Sequence, residues 1–312
     1  MREAISAALL ATPLNRYPDP MANDLRDALA RRHGTDRAHV VVGNGGDELL
    51  FNLLFAFGGP GRVLVTCPPD FAEYANFARM TETEVRGVPR DADDFSIDAD
   101  ALVAAAEGAA LVILTSPNNP TGDLVDRALV RRLLDETDAL VLVDEAYVEF
   151  AGEERSLVGL VADNPRLMVL RTLSKAFALA GLRVGYLVAD PAVVGALAAV
   201  RQIYSVDVLA QAVALALVLL DPAARPVLLE QRGQRHAVVS PGEAHELGAG
   251  HAYAHPVQDV VDQLEVLALG VAERAVKVKE HRLEAVWPCH GPPLPWSPTS
   301  PQVYQKVRVK GF

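Results

Sequence analysis

The chain has 312 residues, half of them hydrophobic, which is enough for one large buried core with a smaller part attached. Its formal net charge of −11 argues against nucleic acid or an anionic membrane as a partner, because both reward clusters of Lys and Arg. The two cysteines, Cys67 and Cys289, have no metal-ligand spacing and are interpreted as free thiols of a cytoplasmic protein without a signal peptide.

Short apolar runs alternate with helix-like segments along most of the chain. Continuous apolar runs are typical of strands covered on both faces, and their alternation with helices predicts an α/β fold with a mostly parallel sheet and helices on both sides. Ligands of such sheets bind beyond the carboxyl ends of the strands. The strand candidates are 40–42, 63–65, 111–114, 140–143 and 167–170, and the helix candidates are 24–33, 47–57, 126–136 and the buried apolar segment 208–220.

The composition changes near the end of the chain. Six of the eight histidines, both tryptophans and four of the five lysines follow residue 235. The prolines of 288–301 are incompatible with a regular helix or strand, whereas 257–286 has the pattern of an amphipathic helix. The histidine spacings fit no standard zinc template, so no metal site is predicted.

Lysine usage singles out one residue. Up to residue 276 the chain contains many arginines but a single lysine, Lys175, and only lysine of the two can supply a neutral amine. Lys175 lies in RTLSKAF, directly after the strand candidate 167–170. Its amine can form a Schiff base with a phosphorylated aldehyde whose phosphate binds Ser174 and Arg183. The alternative is a surface lysine with no chemical role.

Polar groups also follow the two preceding strand candidates. Asp144, at the end of the run 140–143, would need a cationic partner if buried, and the pyridine nitrogen of pyridoxal 5'-phosphate (PLP) is such a partner. The turn-rich segment SPNNPTG at 116–122 places a side-chain amide where it can donate to the phenolic oxygen of PLP. Three strand ends therefore supply groups that fit three parts of one molecule.

A glycine-rich segment, GNGGDE at 43–48, lies between a strand candidate and a helix candidate. Free amides at a helix N-terminus can bind phosphate, although glycine-rich turns also occur for conformational reasons alone. Tyr74 in PPDFAEY is either a ring that stacks on the pyridine or an aromatic residue of the core. A nucleotide-binding module is a weaker alternative, because GNGGDE lacks both the dinucleotide and the P-loop spacing.

Together these motifs resemble fold-type I PLP enzymes, and most closely the histidinol-phosphate aminotransferases. The resemblance covers roughly residues 5–230 and rests on motifs in the expected order. The motifs are LNRYPDP (14–20), GNGGDE (43–48), PPDFAEY (68–74), SPNNPTG (116–122), DEAYVEF (144–150) and RTLSKAFALAGLRVGY (171–186). It implies a mostly parallel seven-stranded sheet.

The resemblance also implies a role for each matching residue. Lys175 would be the Schiff-base lysine, and Asp144 would pair with the pyridine nitrogen. Asn119 and Tyr147 would contact the phenolic oxygen, and Tyr74 would stack on the ring. The residues assigned to the phosphate are Gly46, Asp47, Thr172, Ser174 and Arg183, together with Tyr17 from the neighbouring subunit of a homodimer.

The implied activity is PLP-dependent transamination in histidine biosynthesis. Glutamate would give up its amino group and leave as 2-oxoglutarate, and a phosphorylated imidazole ketone would then receive the amino group. Within the same class, an aromatic amino-acid aminotransferase and a PLP decarboxylase or lyase are alternatives. A PLP-binding protein without transaminase activity is an alternative from another class, because misplaced substrate can abolish the reaction while the cofactor stays bound.

The chain departs from the family pattern at both ends. The N-terminal arm that closes over the substrate is missing, and nothing aligns after about Gln231, including the arginine that binds the substrate carboxylate. The predicted division is a truncated segment 1–20, a large PLP-binding domain 21–200, a connecting helix 201–231 and a divergent part 232–312. This last part is either an out-of-frame or foreign segment, or a divergent small domain.

Overall fold

The computed structural model describes residues 2–220, and within them seven strands form one sheet. The five predicted apolar runs all become strands, each with the predicted start. Two further strands, β3 and β7, were not predicted. The strands are β1 (Val40–Asn44), β2 (Val63–Thr66), β3 (Glu84–Gly87), β4 (Leu111–Thr115), β5 (Leu140–Asp144), β6 (Leu167–Thr172) and β7 (Val184–Val188).

The sheet has the order β1-β7-β6-β5-β4-β2-β3. The pairs from β3 across to β6 are parallel, whereas β7 runs antiparallel to both β6 and β1. Six strands therefore share one direction, and the predicted mostly parallel seven-stranded sheet is confirmed. The first residue of β7 lies at the same edge as the last residues of β6 and β1, since Val184 pairs with Asn44 and Gly185 with Thr172.

The described part of the chain contains nine α-helices, and helices cover both faces of the sheet. Because both faces are covered, neighbouring residues of one strand enter different cores: Val141 and Val143 pack on one side, and Leu142 on the other. The helices are α1 (Arg2–Ala11), α2 (Asn23–His33), α3 (Gly45–Phe57), α4 (Glu73–Met80), α5 (Ala99–Ala106), α6 (Arg127–Glu136), α7 (Val148–Ala151), α8 (Pro191–Val200) and α9 (Val208–Leu220). One core takes its helical residues from α2, α5, α6 and α9, and the other from α3, α4 and α8.

Three of these helices begin at an aspartate whose carboxylate accepts backbone N–H groups of the first turn. Asp98 caps α5, Asp126 caps α6 and Asp190 caps α8, where Pro191 follows at the first helical position. A capping aspartate satisfies donors that have no partner inside the helix. These caps determine where the chain turns from each loop into the covering layer.

The apolar segment 208–220 forms helix α9, as predicted. Ala210, Val213 and Leu217 face the core, while the amide of Gln211 donates to the carbonyl oxygens of Asp19 and Val206 at 2.8 and 2.9 Å. No helix among residues 2–220 has the length and hydropathy needed to cross a bilayer. The domain boundaries at 20, 200 and 231 stay predictions. The proposed helix 257–286, the proline-rich segment, the six C-terminal histidines, Cys289 and the divergent part 232–312 lie outside the described residues.

Candidate active site

A pocket lies at the carboxyl edge of the sheet, where the polar motifs were expected to meet. Every predicted cofactor residue except Tyr17 lines it. These residues are Gly46, Asp47, Tyr74, Asn119, Asp144, Tyr147, Thr172, Ser174, Lys175 and Arg183. They come from the five connections that follow β1, β2, β4, β5 and β6, because these strands run in one direction and end at the same edge of the sheet. The antiparallel β7 brings its first end, next to Arg183, to this edge as well.

Asp144 is a buried carboxylate at the end of β5, 5% exposed. The phenol of Tyr74 donates to its Oδ2 at 2.7 Å, and the amide of Ala146 donates to Oδ1 at 3.0 Å. Burial raises the pKa of Asp144, while these two hydrogen bonds and the ammonium of Lys175 favour the ionised form. A buried carboxylate with this incomplete compensation is a strong site for a cationic group of a ligand.

Tyr74 is itself buried, and its hydroxyl lies 2.9 Å from Oγ1 of Thr115, the last residue of β4. Burial raises the pKa of Tyr74 well above its ordinary value, and the neighbouring Asp144 raises it further. The phenol therefore keeps its proton and serves Asp144 as a donor. The predicted stacking of Tyr74 on a cofactor ring stays a prediction.

Lys175 follows β6 and is exposed at the pocket. Its Nζ lies 5.3 Å from the centre of the Tyr147 ring, within the range of a cation–π contact. A primary amine and a buried carboxylate thus share one pocket, as the strand-end positions of Lys175 and Asp144 predicted.

Groups that can bind an anion lie together where helix α3 begins. The first amides of α3 have no partner within the helix, and they lie beside the guanidinium of Arg183. Nη2 of Arg183 forms an ion pair with Oδ2 of Asp47 at 2.6 Å, and Nη1 lies 3.5 Å from Oγ of Ser174. Amides, a hydroxyl and a guanidinium around one point suit a phosphate.

Two glycines make this approach possible. Gly45 has φ 76°, and a Cβ there would collide with the guanidinium of Arg183. At Gly185 a Cβ would lie 2.6 Å from the carbonyl carbon of Gly45, a contact that real Cβ atoms do not make. The glycines of GNGGDE therefore have a packing reason as well as a conformational one.

Tyr17 lies outside the pocket. It is 82% exposed and stacks on Tyr204, with ring centroids 4.7 Å apart. Its predicted contact with the phosphate of a neighbouring subunit stays a prediction.

Five pocket residues were not predicted from the sequence, and most of them supply shape rather than chemistry. Thr115 contributes a hydrogen bond, and its position directly before SPNNPTG was the available signal. Phe71 packs edge-to-face against Tyr74 with ring centroids 5.5 Å apart. The others are Leu50, Ala146 and Leu170.

The family model for "Aminotransferase class I and II" matches residues 1–237. Among curated proteins, the chain is 44% identical to the histidinol-phosphate aminotransferase of Thermobifida fusca, over 77% of this chain and 66% of that protein. It is also 44% identical to that of Thermococcus kodakarensis, over 68% of this chain and 62% of the relative. The chain thus spans less than two thirds of the length of these relatives.

Solved structures give the same result. The histidinol-phosphate aminotransferase of Sinorhizobium meliloti in complex with pyridoxal-5'-phosphate has a TM-score of 0.64 and 29% identity, over 69% of this chain and 60% of that chain. The L-threonine-O-3-phosphate decarboxylase of Porphyromonas gingivalis has a TM-score of 0.62 and 31% identity, over 72% of this chain and 67% of that chain. These likenesses confirm the predicted fold type. Since the family model covers the described sheet and pocket and extends beyond them, the chain belongs to the class I and II aminotransferase family.

Proposed function

We propose that this chain is a PLP-dependent aminotransferase that exchanges an amino group between histidinol phosphate and 2-oxoglutarate. The observation that carries the proposal is the single pocket in which Lys175, Asp144 and the Arg183–Ser174 anion site meet. The names of the relatives from Thermobifida fusca and Thermococcus kodakarensis support the substrate, and the cofactor in the Sinorhizobium meliloti structure supports PLP. We further propose a cytoplasmic homodimer in which Tyr17 completes the neighbouring site.

The residues of this chain fit PLP at each of its polar groups. The buried carboxylate of Asp144 suits the protonated pyridine nitrogen, because burial leaves it short of a cationic partner. The α3 amides, Ser174 and Arg183 suit the phosphate, and a Cβ at Gly45 would fill that cradle. The amide of Asn119 lines the same pocket and suits the phenolic oxygen.

When bound, PLP supplies an electron sink for the bonds of the substrate α-carbon. The amine of Lys175 lines the same pocket and would serve as the base that takes a proton from that carbon and as the acid that returns one. Asp144, whose carboxylate accepts the hydrogen bond of Tyr74, would stabilise positive charge at the ring nitrogen. Arg183 and the α3 amides would hold the phosphate in the pocket that Lys175 also lines.

Visible absorption of the purified full chain tests the cofactor site directly. The wild-type protein with PLP should show a band shifted from that of free PLP, and glutamate should bleach it. Lys175→Ala should lose the shifted band, whereas Lys277→Ala, a lysine outside the matched motifs, should keep it. A shifted band that survives in Lys175→Ala would refute the assignment of the lysine. A wild-type band that glutamate leaves unchanged would favour a PLP-binding protein without transaminase activity.

The likeness to the L-threonine-O-3-phosphate decarboxylase supports a second candidate, a PLP decarboxylase of a phosphorylated amino acid. Both candidates use the same amine and phosphate sites, so the products separate them. An aminotransferase converts 2-oxoglutarate to glutamate in step with histidinol phosphate consumption. A decarboxylase releases carbon dioxide from L-threonine-O-3-phosphate without 2-oxoglutarate.

A further inference from the structure

An ionic cluster lies next to the strand ends that carry Asp144 and Lys175, and all of its members except the half-exposed Glu153 are buried. Arg171, on β6, is 0% exposed. Its guanidinium reaches Glu149 Oε1 at 2.8 Å, Glu145 Oε2 at 3.2 Å and Glu153 Oε1 at 2.8 Å. We call Arg171, Glu145, Glu149 and Glu153 the Arg171 cluster.

The cluster links the end of β6 to the end of β5, and in each case the residue adjacent to the cluster member lines the pocket. Arg171 directly precedes Thr172, and Glu145 directly follows Asp144. Successive side chains of a strand point to opposite faces, so Arg171 lies on the face away from Leu170 and Thr172, which line the pocket. The Arg171 cluster is therefore a brace on the reverse side of the active-site edge.

Glu145 also binds the segment that follows β5. Its Oε1 accepts the amide of Leu157 at 2.6 Å, and its Oε2 accepts the hydroxyl of Ser156 at 2.6 Å. The amide of Glu145 donates to the carbonyl of Leu170 at 2.8 Å. Glu145 is thus held on β6 by its backbone amide, while its carboxylate binds the segment that contains Ser156 and Leu157.

Stability alone is a poor reason for this arrangement. Taking several charges out of water costs as much as their attraction returns, and packed apolar residues usually do as well. One oxygen, Oε2 of Glu149, is buried without a hydrogen-bond partner among the described residues, which adds to the cost. Unlike apolar side chains, the charged groups of the cluster form directional hydrogen bonds, which fix the position of the end of β5 relative to the end of β6.

We propose that Arg171 is a positioning residue of the PLP site, which holds the Asp144 end of β5 in register with the Thr172–Lys175 end of β6 through Glu145 and Glu149. The expected effect on PLP binding rests on the proposed function. The expected effect on the two strand ends rests on the geometry alone. Arg171 touches neither substrate nor cofactor and acts through Asp144 and Lys175.

Amide hydrogen exchange of the PLP-free full chain, followed in peptides that cover 144–150 and 171–177, tests the geometry. Arg171→Lys keeps the charge but loses the fork that reaches three carboxylates, so exchange in both peptides should rise about tenfold or more. The matched control is Arg166→Lys at the opposite end of β6, where the guanidinium binds the carbonyls of Thr137 and Leu134. The control should leave both peptides protected.

The same variants are then titrated with PLP. Arg171→Lys should bind PLP about tenfold more weakly, and the pH at which its visible band changes should shift, because Lys175 and Asp144 are no longer held together. Arg166→Lys should match the wild type in both. If Arg171→Lys does not fold, Arg171→Met combined with Glu145→Gln and Glu149→Gln removes the three buried charges and takes its place.

The outcomes separate this inference from the proposed function. If exchange rises in the two peptides of Arg171→Lys but the wild-type protein shows no shifted band with PLP, the positioning role is supported and the PLP function is rejected. If the wild-type protein binds PLP, and Arg171→Lys matches it in both hydrogen exchange and PLP affinity, the positioning role is overturned. Exchange that rises equally throughout the chain, or loss of the fold in both Arg171 variants, also overturns it and makes the cluster an element of global stability.

Discussion

At the scale of single residues, the pocket depends on the hydrogen bonds that a buried carboxylate accepts. Asp144 receives one hydrogen bond from a side chain, that of Tyr74, and one from the amide of Ala146. The phenol is fixed in turn by Oγ1 of Thr115. A ring that merely filled the core would not need its hydroxyl between two polar partners.

Tyr74→Phe removes that donor while it keeps the ring. We expect the free energy of unfolding to fall by about 1–3 kcal/mol, because a buried carboxylate loses a charge-assisted hydrogen bond. We also expect weaker PLP binding, because the pKa of Asp144 rises further and its ionised form becomes less available to a cation. Urea unfolding and PLP titration measure the two effects.

Tyr186→Phe is the matched control, because Tyr186 is also buried and its hydroxyl bonds to His33 at 2.9 Å, away from the pocket. It should lose stability without a change in PLP affinity. Equal losses of PLP affinity in both variants would contradict the role of Tyr74 as the donor to Asp144.

The residue types that sequence could identify were those with distinctive chemistry. Lys175 stood out as the single lysine among many arginines up to residue 276, and Asp144 as an acid at the end of an apolar run. Thr115 carried no such mark, since a threonine that ends a strand has an ordinary β propensity. The Arg171 cluster was missed because the sequence does not show that Glu145 and Arg171 are close to each other until their strands are known to be neighbours.

At the scale of elements, the apolar runs predicted the five strands that are covered on both faces. Strand β3 was missed because it is a largely exposed edge strand whose sequence, EVRG, has no apolar run. Strand β7 was quoted only as part of a motif, although Val184–Val188 is fully buried. Its antiparallel direction, which brings Arg183 to the pocket, depends on pairing that no local pattern encodes.

The contact between β7 and the start of α3 gives a prediction at this scale. Gly185→Ala places a Cβ against the backbone of Gly45 and Gly46, which cannot move away as a flexible side chain could. The α3 amides should shift from Arg183, and PLP and inorganic phosphate should both bind at least about tenfold more weakly. Isothermal titration with each ligand measures this.

Gly195→Ala, in helix α8, is the control for Gly185→Ala. A Cβ at Gly195 meets nothing within 4 Å, and alanine in a helix should stabilise the protein by about 0.5–1 kcal/mol. Its ligand affinities should equal those of the wild type. Unchanged phosphate affinity in Gly185→Ala would show that the close approach of β7 to α3 does not build the anion site.

The junction of helix α2 with β7 predicts a dependence of stability on pH. His33 ends α2, and burial lowers its pKa to about 3, with Arg171 and Arg32 adding to the effect. The carbonyls at a helix C-terminus favour a cation, so here burial outweighs the helix dipole. The native state keeps His33 neutral, whereas the unfolded chain takes up its proton near pH 6.5.

Since the unfolded state binds more protons between pH 6.5 and about 3, this histidine makes stability fall as pH falls through that range. As the pH falls from about 7 to about 5, His33 should lower the free energy of unfolding by about 2 kcal/mol. His33→Gln should remove this loss, so the difference in unfolding free energy between wild type and variant should change with pH by that amount. A constant difference, measured by urea unfolding at several pH values, would mean that His33 has the same pKa in the native state as in the unfolded chain.

At the scale of the whole molecule, the proposed site would include Tyr17 of a second copy of the chain. Tyr17 is largely exposed, lies outside the pocket of its own chain and stacks on the half-exposed Tyr204. A tyrosine pair that presents this much aromatic surface is suited to a protein interface. The sequence suggested the second copy through the LNRYPDP motif alone, because nothing local to one chain records a contact made by another.

Complementation between two inactive variants tests this arrangement. Tyr17→Ala should weaken PLP binding in a homodimer of variants, because each site loses the tyrosine of its neighbour, and Lys175→Ala should abolish the shifted visible band in each of its own sites. In a mixed dimer, the subunit that carries Tyr17→Ala keeps its own Lys175 and receives Tyr17 from the Lys175→Ala partner, so one site of the two is complete. Refolding the two variants together should therefore recover tight PLP binding in up to about half of the sites of each mixed dimer, measured as band amplitude at limiting PLP. Recovery requires both a dimer and a shared site: a monomer, or a dimer whose Tyr17 serves its own subunit, would give no more than the sum of the two variants measured separately.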